Sequence, residues 1–144
     1  MPNPPALPEI LSLQVCEKVI RDFESRQSSV IGILDTIASP TFPLSITQLT
    51  VFMEITSGHG RTELKVRMVD ALDERPPLFE AVIDANLGDP LVVHQVPITS
   101  MGLKFPAPGQ YRVQVFAMGT LLRERKVRLI QVAPSPNGGP PRLA

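Results

Sequence analysis

Between Leu103 and Val115 the chain reads LKFPAPGQYRVQV, and no other stretch restricts the fold so tightly. Pro106 and Pro108 fix φ and remove backbone donors, which rules out a helix here. Gly109 allows the positive φ that re-aims the chain. Tyr111, Val113 and Val115 then share one face while Arg112 and Gln114 share the other, the period of two required of a half-buried strand. The unit is a turn that delivers a strand with one face in a core.

Similar punctuation organises the remainder. Of the sixteen prolines, Pro2, Pro4, Pro5 and Pro8 mark a proline-rich tail over residues 1–9. Pro134, Pro136, Pro140 and Pro141 mark a flexible proline and glycine tail over 134–144. Residues 10–133 are left as one domain, long enough to bury about two thirds of the unfolded chain's surface. From Ile10 to Phe23 two periods compete. Leu11, Leu13, Val15 and Val19 alternate as in a strand, whereas Ile10, Leu13, Cys16, Ile20 and Phe23 trace a helical stripe. The β-branched Val15, Val19 and Ile20 favour the strand, with the next apolar segment as its hairpin partner across the polar loop Asp22–Ser28.

Ser29–Ile37 is almost continuously apolar, which predicts a central strand covered on both faces or a strand at a subunit contact. Ser39–Pro43 forces a crossing between sheets or an edge. Leu49, Val51, Met53 and Ile55 alternate, Ser57-Gly58-His59-Gly60 turns the chain, and Leu64, Val66 and Met68 alternate again, which predicts a hairpin. Short strands follow at Phe79–Ile83 and Leu91–Ile98, the second an edge because of Pro97. After a reversal at Met118-Gly119-Thr120, Leu121–Val132 has mixed parity that a bulge near Arg125 or Lys126 would reconcile. About eight strands separated by regular turns predict an all-β, two-sheet antiparallel sandwich. A tyrosine entering a strand after a proline corner, as Tyr111 does, is the tyrosine corner of an immunoglobulin-like sandwich.

Composition narrows the function classes. Fourteen basic residues balance fourteen acidic ones, so no long-range field draws the chain to nucleic acid or an anionic membrane. Cys16 is the single cysteine. It permits no internal disulfide and suits a reducing compartment; with no signal peptide and no apolar run of membrane-spanning length, a bacterial cytoplasm is expected. His59, between two glycines, reads as a turn residue, His94 as a satisfied or solvent-facing strand residue, and Cys16 as a core thiol. Asp70, Asp73 and Glu74, and then Asp84 and Asp89, cluster at turns without the spacing of a calcium loop. No catalytic, cofactor or metal residue is expected. The strongest charge feature is a basic stripe of Arg112, Arg123, Arg125, Lys126 and Arg128, with Lys65 and Arg67 nearby. With one tyrosine and no tryptophan it lacks the stacking groups of a nucleic-acid platform, and reads instead as edge protection or a polar contact surface.

Four segments carry a resemblance: LQVCEKVI at residues 13–20, SVIGILD at 29–35, PTFP at 40–43 and FPAPGQY at 105–111. Together they resemble an uncharacterised family of small bacterial proteins. That resemblance implies a standalone cytosolic β-sandwich with no established activity, cofactor or catalytic residue to carry over. The expected function is accordingly non-enzymatic: protein contacts, with itself or within a larger complex, through Arg112, Arg123, Arg125, Lys126, Arg128, Phe52 and Phe116. The alternative is a small-ligand or carbohydrate-binding module, with glycans disfavoured by the lack of aromatic platforms.

Overall fold

The computed structural model describes residues 7–72 and 75–134, together with the backbone of Arg142–Leu143. Ten strands occur in order: β1 (Glu9–Arg21), β2 (Ser28–Ile33), β3 (Thr36–Ser39), β4 (Leu44–Thr56), β5 (Gly60–Asp70), β6 (Phe79–Leu87), β7 (His94–Phe105), β8 (Gly109–Ala117), β9 (Thr120–Gln131) and the two-residue β10 (Arg142–Leu143). Among the described residues there is no helix. A four-stranded sheet runs β2-β1-β4-β7 and a six-stranded one β10-β3-β9-β8-β5-β6. The fold is the expected all-β sandwich of two sheets. Its core lies where Leu13, Val15, Leu49, Val51 and Met53 of one sheet meet Leu64, Val66, Val113, Val115 and Val127 of the other.

Alternation decides the ambiguous first segment in favour of the strand. Leu13 and Val15 face the core, in register with Met53 and Val51 of β4, and the helical stripe does not form. The organising turn behaves as read. The Tyr111 hydroxyl donates to the Ala107 carbonyl at 2.6 Å, and its ring meets Phe105 edge-on at 5.0 Å. Ser39–Pro43 carries the chain from β3 in one sheet to β4 in the other, and β7 is an edge strand with Pro97 exposed.

Three expectations are corrected. Ser29–Ile37 is not one central strand. β2 is an edge of the four-stranded sheet, the chain crosses at Leu34–Asp35, and β3 joins the six-stranded sheet parallel to β9. The run is apolar because its last part, Leu34 and Ile37, enters the core between the sheets, not because one strand is covered twice. Nor do β4 and β5 form a hairpin. β4 pairs with β1 and β7, and β5 with β6 and β8, so their matching inner faces meet across the sandwich. The segment between them is a crossover, at which Gly58 packs so close to Leu87 that an added Cβ would lie 2.3 Å from the leucine Cβ. Finally, the bulge sits at Leu122. Val115 pairs with Arg123 and Phe116 with Leu121, leaving Leu122 without a partner in the ladder. It follows directly on the two-residue turn at Met118 and Gly119, both at positive φ. Of the two expected tails, residues 1–6 and 135–141 and Ala144 lie outside the described residues; Arg142–Leu143 pairs antiparallel with β3.

Candidate functional site

The basic stripe divides between the two faces of its sheet. Arg123 and Arg125 stand in register with the core residues Val115 and Val113, so they start on the inward face of β9. There they reach the opposite sheet. Arg123 Nη1 donates to the carbonyls of Ile10 at 2.7 Å and Leu11 at 3.2 Å, and Arg125 Nη1 to that of Leu13 at 3.2 Å. These carbonyls belong to the half of β1 that β2 does not pair with, so the two arginines occupy a bare strand edge from within the molecule.

Arg112, Lys126 and Arg128 lie on the outward face, where charges of both signs interleave. Arg67 Nε donates to Gln114 at 2.9 Å, Gln114 donates to Glu124 at 3.0 Å, and Arg112 stands 3.5 Å from the same Glu124 carboxylate. Lys65 faces Glu80 and Arg61 faces Asp84. Half-buried Phe116 lies beneath the Arg67 guanidinium, 5.1 Å from its ring centre. Phe52, expected to be exposed, is only 5% accessible. Its parity does put it on an outer face, but β4 is central, and Gln14 of β1 and Pro97 of β7 flank it in register.

The reactive residue types stand on different elements. Cys16 is fully buried with Sγ 3.5 Å from the Thr50 carbonyl, and burial, followed by the Glu17 carboxylate, pushes its thiol up from the ordinary 9.0. His59 is exposed on the β4–β5 crossover, whereas His94 opens the edge strand β7. Asp84 is paired with Arg61, and Asp89 accepts the Leu91 backbone N–H at 3.0 Å. Asp70 ends β5, while Asp73 and Glu74 lie outside the described residues. Among the described residues no three His, Cys, Asp or Glu side chains are placed to hold a metal.

Sequence reasoning passed over the most exposed apolar feature, the tip of the β1–β2 hairpin. β1 pairs with β4 only as far as Cys16; from there to Arg21 it pairs with β2 alone, so the outer hairpin is two strands wide. Its loop is ordered by Asp22, whose Oδ1 accepts the backbone N–H groups of Ser25 at 2.7 Å and Glu24 at 2.9 Å. The Ser25 backbone N–H, then its hydroxyl, then the Glu24 N–H hold this carboxyl below its ordinary value. On that frame Phe23 is 95% exposed. The register places Ile20, Ile31 and Ile33 on the outer face, with Ile20 at 47% and Ile33 at 51% exposure. The available signal was a phenylalanine inside an otherwise polar loop, next to a β-branched run without charge.

Sheet order, core and tyrosine corner together define an immunoglobulin-like β-sandwich. Within that class the chain belongs to a family of unknown function, DUF6941, whose model matches residues 11–130. No curated protein matches the sequence. Among solved structures it is similar to the alkylpurine DNA glycosylase AlkC of Pseudomonas fluorescens, solved bound to DNA containing an abasic site analog. That match has 10% identity and a TM-score of 0.49, and covers 85% of this chain but 30% of the glycosylase. It is also similar to an immunoglobulin-like protein from Pseudomonas aeruginosa, at 14% identity and a TM-score of 0.41, over 89% of this chain and 100% of that one.

Proposed function

We propose that this protein is a non-enzymatic β-sandwich that works through protein–protein contacts in a bacterial cytoplasm. One observation carries the reading: a phenylalanine ring held almost wholly in water on an ordered hairpin tip. Covering such a ring is worth about 1.5–3 kcal/mol, and the half-exposed Ile20, three residues before it, adds apolar surface on the same hairpin. Arg112, Lys126, Arg128 and Phe116 stand on the other sheet, so they form a separate face rather than the rim of this patch. Nucleic acid is not proposed, because Glu63, Glu80, Asp84 and Glu124 interleave with the outward cations and the chain has one tyrosine and no tryptophan for stacking.

The test is recovery of tagged full-length protein from its native cells, beside a Phe23→Ser variant. A stoichiometric protein that binds the variant roughly tenfold more weakly, a loss of about 1.4 kcal/mol, is the expected result. Equal recovery by both would remove the hairpin from the contact. A small-ligand module is the second reading, supported by the groove of about 630 Å³ lined by Glu63, Lys65, Arg67, Phe116 and Met118. A metabolite that raises the melting temperature of the wild type and of Phe23→Ser equally would favour it.

A further inference from the structure

We infer that the edge of β2, which no described strand covers, seats a second copy of this chain, the two β2 strands pairing antiparallel about a two-fold axis. The inference rests on the protein-contact reading and names the partner. Three observations lead to it. First, the sheet edges are not guarded alike. β6 carries the exposed acids Glu80 and Asp84, and β7 carries an exposed proline, Pro97. β2 reads SSVIGI, with neither charge nor proline, and such an edge is a template for another strand.

Second, the outer hairpin is two strands wide, and a two-stranded ribbon is marginal in water. Pairing two copies along β2 turns it into four strands. Ile31 and Ile33 then gain neighbours on the same face. Third, the charges of residues 17–33 cancel: Glu17, Asp22 and Glu24 against Lys18, Arg21 and Arg26. A strongly acidic or basic partner finds no net charge to recognise, whereas an identical hairpin meets no repulsion. Antiparallel self-pairing is also isologous, so it closes at two copies and leaves no further β2 edge open.

Sedimentation of the full-length protein over the micromolar range tests this. The wild type should approach twice the 15.8 kDa mass of one chain. An Ile31→Lys/Ile33→Lys variant should weaken the dimer by about a hundredfold, since like charges are brought together across the axis. Ser29→Lys, at an exposed position, should act in the same direction without touching packed side chains, with circular dichroism confirming that each variant is folded. A dimer of wild-type strength in both lysine variants would overturn the β2 edge. A monomeric wild type that still takes up another protein through Phe23 would overturn self-pairing and leave the contact reading standing; a monomer that takes up nothing would sink both.

Discussion

Single residues here show how far identity falls short of role. Cys16 is a thiol closed to solvent: it has no accessible surface, its sulfur rests against the Thr50 carbonyl, and burial pushes it toward the protonated form. Because the folded state holds that proton more tightly than the unfolded chain, its contribution to stability is complete below 9.0. It is lost as pH rises through the higher folded value. A thiol reagent should therefore modify the native protein only at the rate of unfolding and the denatured chain at once. Prompt labelling of the native state would show that Cys16 is accessible. Tyr111 is the contrasting case, since its hydroxyl does what its place after Pro106 and Pro108 predicts.

At the scale of strands, edges decide more than faces. β1 has 13 residues and β2 only 6, so one half of β1 would be bare on the side where β2 ends, and Arg123 and Arg125 of β9 reach those carbonyls. Replacing Arg125 with Met keeps much of its aliphatic stem and removes the donor, and should cost about 1.5–3 kcal/mol in denaturant unfolding. Arg128→Met, on the exposed outward face of the same strand, should change stability by about 0.5 kcal/mol or less. Equal losses at both sites would mean that the inter-sheet bonds contribute nothing particular. The inward sense of Arg123 and Arg125 could not be read from the sequence. The opposed parities of Leu122 and Val127 predict a bulge between them, near Arg125 or Lys126, and it lies at Leu122 itself.

The two sheets of the whole molecule share one apolar cluster, with Leu13 and Met53 from one side and Val66 and Val113 from the other. Neither sheet can keep its inner face dry alone, so they should unfold together. Tyr111, the single tyrosine in a chain without tryptophan, reports on the six-stranded sheet, while far-UV circular dichroism reports on both. Their thermal transitions should coincide. An earlier change in either probe would mean that the sheets are separable.

Local chemistry in the sequence determined most strand positions and the core parity within them, though not the break of Ser29–Ile37 into two strands. Pro and Gly restrict φ, and alternation assigns faces within each strand, so the tyrosine corner, the crossing at Ser39–Pro43, the edge at Pro97 and the inward Val113 and Val115 were all legible. Tertiary structure decided which strands are neighbours. The same alternation in β4 and β5 suits a hairpin or two strands stacked across a core, and only long-range pairing with β1, β7, β6 and β8 selects the second. Burial on an outer face has the same origin. Phe52 is covered because its strand is central, and Phe23 is bare because it tips a hairpin that parts from β4 beyond Cys16. Coverage is a property of neighbours distant in sequence, which is why the candidate contact site was the part that the sequence alone did not locate.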